Sequence, residues 1–202
     1  MKKIFCLFLF SLFWINIANL GRAENILESD RTIHLSFSTA VKKDLEYVFY
    51  FLKHLDRWYL QLTPDHKKFV LLNAKELKVG TRIKNEEESH GQHLKHLYTV
   101  TQFDKNTGIF QMESPVTYVV VQKFFRLQNK TILTIKFKDN KDGTFLMTSD
   151  LDLVFASKFD KEKAIFFKAD KIWQKHINEE MTQAVAIVES IMITENDEGS
   201  SL

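Results

Sequence analysis

Apolar and polar residues alternate in the segment TIHLSFST, residues 32–39. Ile33, Leu35 and Phe37 fall on one side of this segment, and the residues between them are polar. A period of two is typical of a strand with one buried face, because successive side chains of a strand point to opposite sides. We therefore predict a half-buried strand here.

Residues 40–62 change to helical spacing. Their apolar positions recur at intervals of three and four: Leu45, Val48, Phe49, Leu52 and Leu55. This spacing predicts a helix with one apolar face. The next segment, TPDHKKFVLL at residues 63–72, predicts a short second helix, because Thr63 suits the N-cap and Pro64 suits the first helical position.

From about residue 76 the period returns to two, which predicts a series of strands. In chain order these cover residues 75–88, 92–104, 108–116, 117–128, 131–139 and 143–155. Turn signals separate them at residues 89–91, 104–108, 127–130 and 139–143. Short consecutive strands of this kind predict an antiparallel meander.

A long helix, from about Asp160 to Ile193, is the last predicted element. Its apolar stripe consists of Ile165, Ile172, Trp173, Ile177, Ala184, Val188 and Ile191. The sheet must bury one face, and this helix is available to cover it. We expect an α+β fold of the helix-grip type, in which a curved antiparallel sheet wraps around the long C-terminal helix.

Residues 1–23 have the layout of a signal peptide. Two lysines precede an apolar run, and the small residues Gly21 and Ala23 stand before an expected cleavage site. The alternative is an uncleaved N-terminal membrane anchor. We expect a bacterial protein that is exported to the periplasm or secreted, with no membrane span after cleavage. Residues 24–193 would then form one domain, and residues 194–202 a disordered acidic tail.

Cleavage would change both the charge and the cysteine count. It removes 3 of the 28 basic residues and none of the 26 acidic ones, so the formal net charge falls from +2 to −1. A nearly neutral domain argues against nucleic-acid binding. The single cysteine, Cys6, is removed as well, which excludes thiolate metal ligands and cysteine nucleophiles.

The C-terminal helix carries the first candidate metal ligands. His176 and Glu180 stand four residues apart, so they share one face of the helix, beside apolar neighbours. A charged glutamate on such a face is costly unless it is paired, and a zinc ion would pair with it. His66 is a further candidate, at the start of the predicted short helix.

The strand at residues 75–88 carries a run of three glutamates. With a period of two, Ile83, Asn85 and Glu87 point to one side, and charged residues point to the other. Glu87 is therefore the acid expected to face inward. A bulge in the strand would exchange it for Glu86 or Glu88.

The order of elements resembles the START/Bet v 1-like (SRPBCC) superfamily, whose members usually have a deep apolar cavity between sheet and helix. The PDH turn, the glutamate late in the strand after VG, and the H-x3-E pair resemble the 2,4-diacetylphloroglucinol hydrolase group. That group consists of zinc-dependent hydrolases of carbon–carbon bonds. The resemblance implies a zinc site formed by His66, Glu87, His176 and Glu180, and a small aromatic or polyketide-like ketone as substrate.

Cleavage of an acyl group from carbon needs a proton donor for the leaving carbon. His96, Tyr98 and Tyr59 are candidates, and the sequence does not choose among them. Leu94, His96, Tyr98 and Val100 share one face of their strand. The alternative function is a metal-free carrier or sensor that holds a lipid or an aromatic ligand in the same cavity. In both cases the partner is a small apolar or aromatic molecule.

Overall fold

The computed structural model describes residues 28–121 and 125–192. The predicted signal peptide at residues 1–23 and the predicted tail at residues 194–202 lie outside the described residues. The helices and strands follow in this order: β1 (Thr32–Val41), α1 (Leu45–Lys53), α2 (Leu55–Leu62), β2 (His66–Leu71), β3 (Arg82–Ser89), β4 (Gln92–Asp104), β5 (Ile109–Val121), β6 (Phe125–Asp139), β7 (Phe145–Phe155), α3 (Lys158–Phe166) and α4 (Ala169–Ser190). Within the described ranges, no helix is long and apolar enough to cross a membrane.

The seven described strands form one antiparallel sheet in the order β1-β7-β6-β5-β4-β3-β2. Strands β3 to β7 are neighbours in chain order, which confirms the predicted meander. Helix α4 lies against one face of this sheet and contacts β1, β3 and α2. The predicted α+β helix-grip arrangement is therefore confirmed.

The alternating patterns identify the buried face of the sheet correctly. In β1, Ile33 and Leu35 are buried. In β4, the four residues predicted to share a face are all buried: Leu94, His96, Tyr98 and Val100. Tyr98 and Val100 pack in one core beneath α1 and α2, whereas Leu94 packs in a second core around Trp173 of α4.

Two predicted helices are each divided in the structure. The helix predicted for residues 40–62 is interrupted at His54, between α1 and α2. The long C-terminal helix is interrupted before α4, where Lys168 adopts the left-handed conformation with a φ of 59°. Ile165 therefore lies on the separate helix α3 and is 44% exposed, so its place in the predicted apolar stripe is wrong.

The short helix predicted at residues 63–72 is also wrong. After a turn, residues His66–Leu71 form β2 and pair with β3. Pairing with a neighbouring strand satisfies the backbone of this segment, and it overrides the local N-cap signal of Thr63 and Pro64. His66 thus begins a strand, and its Cα partner across the pair is Glu87.

The strand boundaries differ from the predictions in two further places. Strand β3 begins at Arg82, so residues 75–81 are not part of it. The turn predicted at residues 127–130 is wrong, because these residues lie within β6. Strand β5 instead continues through residues 114–117, where the register of its pairing with β6 shifts.

Candidate functional site

His66 is held at the inner end of β2 by two contacts with Tyr59. Its Nδ1 lies 2.6 Å from the backbone carbonyl oxygen of Tyr59, and the Tyr59 ring stacks on the imidazole at 3.8 Å. A carbonyl oxygen can only accept, so Nδ1 carries the hydrogen. The other nitrogen, Nε2, is buried and has no hydrogen-bond partner. His66 therefore turns its Nε2 toward the interior.

His176 lies on the face of α4 that is turned toward the sheet, and its side chain is 3% exposed. Its Nδ1 lies 3.2 Å from Oδ2 of Asp65, in the turn before β2. Its Nε2 is buried without a hydrogen-bond partner and lies 3.5 Å from Oε2 of Glu87. A carboxylate on Nδ1 is a common way to orient an imidazole whose other nitrogen binds a metal.

Glu87 projects from β3 toward His176, on the strand face that also buries Ile83 and Asn85. The neighbouring acids are turned elsewhere. Glu86 pairs with surface lysines, and Glu88 lies 3.3 Å from the half-exposed His93. The structure thus places Glu87 inward, in the register expected from the alternation of the strand.

Glu180 follows His176 by one helical turn and reaches both imidazoles. Its carboxylate oxygens lie 3.7 Å from Nε2 of His66 and 3.9 Å from Nε2 of His176. Its side chain is 13% exposed. The four residues expected to bind metal are therefore brought together from β2, β3 and α4.

The cluster of His66, Glu87 and His176 could hold a metal ion. One ligating atom from each lies within 4.8 Å of the others. Atoms that bind a tetrahedral ion at about 2 Å lie about 3.3 Å apart, and Nε2 of His176 lies 3.5 Å from Oε2 of Glu87. Glu180 can add a fourth atom, because it lies within 3.9 Å of both imidazole nitrogens. Two unpaired, buried imidazole nitrogens fit a bound cation, which would complete their bonding.

A hydrogen-bond network behind the cluster orients Glu87. The hydroxyl of Tyr59 donates to Oε1 of Glu87, and Nδ2 of Asn85 donates to the same oxygen at 2.6 Å. Nδ2 of Asn85 also donates to the Tyr59 hydroxyl at 2.7 Å. Oε1 is thereby occupied, and Oε2 is left to face His176. Tyr59, a candidate proton donor on the sequence, is placed to hold Glu87.

Sequence reasoning missed the roles of Asp65 and Asn85. Asp65 stands next to His66 in the PDH turn, and it orients His176 from 111 positions away in the chain. Asn85 was placed on the inward face of its strand, but its contact with Glu87 could have been suspected only from their i, i+2 spacing.

The charges of the cluster shift the pKa values of its members. Burial lowers the pKa of His176, but the carboxylates of Glu87, Glu180 and Asp65 outweigh burial and raise it to about 9. Burial raises the pKa of Glu87, yet His176, His96 and His66 bring it well below its ordinary value. For Glu180, burial and the nearby Glu87 prevail over the two imidazoles, so its pKa is raised. Without a cation, the cluster therefore binds a proton at His176.

The cluster lies in the wall of an internal cavity between the sheet and α4. The centre of a water molecule can occupy about 60 Å³ of this cavity. The cavity therefore has room for several waters. Most of the residues in its wall are apolar, and they include Phe51, Leu52, Phe110, Ile135, Phe137 and Met181. The side chains of the candidate metal cluster thus adjoin an apolar cavity.

The other two candidate proton donors also lie on the cavity wall. His96 stacks on Tyr98, with the rings 4.6 Å apart and nearly parallel. Burial lowers the pKa of His96 to about 4, although Glu87 opposes this shift. Burial raises the pKa of Tyr98 well above its ordinary value. At neutral pH both side chains are therefore uncharged.

Comparisons with known proteins show the fold. No family model and no curated protein matches the chain. Among solved structures, TTHA0849 from Thermus thermophilus is 11% identical, with a TM-score of 0.60 over 77% of this chain and 96% of that one. The Zhui aromatase/cyclase from Streptomyces sp. R1128 is 10% identical, with a TM-score of 0.58 over 78% and 94%. Ara h 8.0201 is 12% identical, with a TM-score of 0.51 over 79% and 99%.

At these identities the likeness concerns the fold alone. Nothing in the comparisons supports the resemblance to the 2,4-diacetylphloroglucinol hydrolase group, which stays a prediction from short motifs. The order of the strands, the long helix across the sheet and the solved structures of the same shape agree with one another. The chain has the helix-grip fold of the START/Bet v 1-like proteins.

Proposed function

We propose that this protein is an exported, zinc-dependent hydrolase that cleaves a carbon–carbon bond in a small aromatic or polyketide-like ketone. The observation that carries the proposal is the convergence of His66, Glu87, His176 and Glu180 at the wall of an apolar cavity. Both imidazoles turn a buried, unpaired Nε2 toward the carboxylates.

The donor set favours zinc over magnesium and calcium. Two imidazole nitrogens and two carboxylates are typical zinc ligands, whereas magnesium and calcium prefer sites made only of oxygen atoms. Bound zinc would polarise a ketone oxygen and lower the pKa of a water molecule. Hydrogen bonds with Tyr59, Asn85 and Asp65 support Glu87 and the two histidines within the protein.

The reaction balances with water as the only co-substrate. The water oxygen bonds to the carbonyl carbon, and the bond between that carbon and the ring breaks. Its electron pair stays on the ring carbon, which takes up a proton. The products are a carboxylic acid and the shortened aromatic.

The side chains of the cavity divide these tasks. The apolar wall holds the ring of the substrate and excludes bulk water. Tyr98 is protonated at neutral pH, so it can donate a hydrogen bond or a proton to a ligand in the cavity. Tyr59 is engaged with Glu87, which leaves Tyr98 and His96 as the candidate proton donors that can contact the substrate.

The test is turnover of acylphenols by the zinc-loaded protein. 2,4-Diacetylphloroglucinol and 2′-hydroxyacetophenone are incubated with the protein, and released acetate is measured by chromatography. We expect acetate release that is abolished by a chelator and by His176→Ala. A protein that binds zinc stoichiometrically but releases no acid from acylphenols or diketones would contradict the proposal.

A metal-free carrier or sensor is the second candidate. The apolar character of most of the cavity wall favours it. Its space for several waters suits a small aromatic better than a lipid chain. Extraction of the purified protein with solvent, followed by mass spectrometry, separates the two candidates. A stoichiometric apolar ligand in a protein that binds no zinc would establish the carrier.

Export rests on the layout of residues 1–23. N-terminal sequencing of the protein recovered from the periplasm or the medium tests it. We expect the chain to begin at Glu24. A protein that keeps Met1 and stays with the membrane fraction would indicate the uncleaved anchor.

A further inference from the structure

Three buried polar residues form a chain that ends at His96. Thr117 lies in β5, and Asn129 and Thr131 lie in β6, on the face that the sheet turns toward α4. None is more than 2% exposed. Nδ2 of Asn129 lies 2.9 Å from Oγ1 of Thr131. The same Oγ1 lies 2.8 Å from Oγ1 of Thr117. Oγ1 of Thr117 lies 3.1 Å from Nδ1 of His96. The reaction proposed above uses none of these three residues.

The far end of the chain sets the direction of its hydrogen bonds. Nδ2 of Asn129 also lies 3.1 Å from the backbone carbonyl oxygen of Lys130. A carbonyl oxygen only accepts, so the atom facing it is the amide NH2 group, which must donate to Thr131 as well. The hydroxyl of Thr131 is then free to donate to Thr117, as its geometry indicates. The hydroxyl hydrogen of Thr117 is left for Nδ1 of His96.

The opposite direction would leave a buried hydroxyl without a partner. If Nδ1 of His96 carried the hydrogen, Thr117 would accept from both sides, and its own hydrogen would have no acceptor among the described residues. Thr117 is fully buried, and an unpaired buried hydroxyl costs roughly 1–3 kcal/mol. Hence Nδ1 of His96 is an acceptor, and its proton is on Nε2.

A second polar group with an unpaired atom lies beside His96. Asn85 is the Cα partner of His96 across β3 and β4, and both side chains line the cavity. Residues directly opposite in an antiparallel pair have Cβ atoms about 5 Å apart. Nδ2 of Asn85 is used by Glu87 and Tyr59, whereas Oδ1 is buried and has no partner. The wall therefore offers an acceptor at Asn85 next to a donor at His96.

We propose that Asn129, Thr131 and Thr117 hold His96 as its neutral Nε2–H tautomer, and that His96 and Asn85 together bind a phenolic or enolic hydroxyl of the ligand. Such a hydroxyl donates to Oδ1 of Asn85 and accepts from Nε2–H of His96. His96 is then a hydrogen-bond donor and not a general base. As to substrate class the inference rests on the proposed function, but the tautomer and the binding of a hydroxyl do not require zinc or turnover.

The tautomer can be measured directly in the metal-free protein. Nitrogen-15 NMR of histidine-labelled protein, with His96→Gln for assignment, reports which ring nitrogen carries the proton. We expect Nε2–H in the wild type and in Thr117→Ser, which keeps the hydroxyl. We expect a loss of this preference in Thr117→Val. Thr131→Val removes the hydrogen bond to Thr117, one residue further from His96. This variant replaces Thr117→Val in the test if Thr117→Val does not fold.

Binding of phenol and anisole tests the ligand class in the same metal-free protein. Anisole lacks the hydroxyl hydrogen, so phenol should bind about tenfold more tightly. In Thr117→Val the affinity for phenol should fall about three- to tenfold, and Thr117→Ser should restore it. The proposed chain of hydrogen bonds would be overturned if wild-type His96 carried its proton on Nδ1. It would also be overturned if neither valine variant changed the tautomer. Equal affinity for phenol and anisole would overturn the recognition of a hydroxyl. A failure of hydrolysis alone would change none of these results.

Discussion

The affinity of the metal-free protein for zinc should rise steeply with pH, because His176 must lose a proton before it can bind a metal. The carboxylates of Glu87, Glu180 and Asp65 raise the pKa of His176 to about 9. Because pH 7 is two units below this pKa, only about one His176 imidazole in a hundred is neutral at pH 7. The proton therefore weakens zinc binding about a hundredfold at pH 7, which corresponds to about 3 kcal/mol.

Competition with a chromophoric chelator measures this effect. Between pH 6.5 and 8.5 the association constant, corrected for the protonation of the chelator, should increase about tenfold per pH unit. It should level off above about pH 9. Calorimetry in two buffers of different ionisation enthalpy should show that about one proton from His176 is released per zinc at pH 7.

Asp65→Asn is the matched control for this prediction. Asp65 helps to hold the proton on His176. In Asp65→Asn the affinity for zinc should therefore stop rising at a lower pH than in the wild type. An affinity that is constant from pH 6.5 to 8.5, or an NMR titration of His176 with an ordinary pKa, would refute the reasoning.

Three further predictions concern Glu87, Gly108 and the pH dependence of stability. Glu87→Gln should weaken zinc binding by more than about 100-fold, whereas Glu88→Gln, at the protein surface, should leave zinc affinity nearly unchanged. A chelator titration measures the zinc affinity of both variants. A larger loss of affinity in Glu88→Gln than in Glu87→Gln would mean that the strand register is wrong. Gly108→Ala should destabilise the fold by about 2 kcal/mol in urea unfolding, because φ is +65° and the added Cβ would lie 2.7 Å from the carbonyl oxygen of Phe137; an unchanged midpoint would contradict this. The metal-free protein should lose stability as pH rises from 6.5 to 9, because the folded-state pKa of His176 lies above its unfolded value. The stabilisation from protonated His176 is therefore complete below pH 6.5. Melting temperatures that rise with pH over this range would contradict the prediction.

The hydrophobic pattern was sufficient for the sheet and for its buried face. Strand β4 shows why, since every second residue from Leu94 to Val100 is buried. The same alternation placed Glu87 inward between two other acids. Side chains in a strand alternate strictly, so one correct register assigns a whole segment.

Helix boundaries and local hydrogen bonds were harder to predict. The segment that contains His66 has a strong helix-start signal, but it pairs with β3, and no local rule reports such pairing. Lys168 ends a helical pattern through its left-handed backbone, although lysine is a good helix former. The support that Asp65 gives to His176 joins residues 111 positions apart, which only the folded chain brings together.

Metal content is the most direct test of the central claim. The chain from residue 24 to residue 202 is purified without a histidine tag and examined by elemental analysis, together with His176→Ala. We expect about one zinc ion per wild-type chain and almost none in the variant, with both proteins folded. A wild-type protein that contains no metal even after incubation with zinc and dialysis would show that His66, Glu87, His176 and Glu180 do not form a metal site.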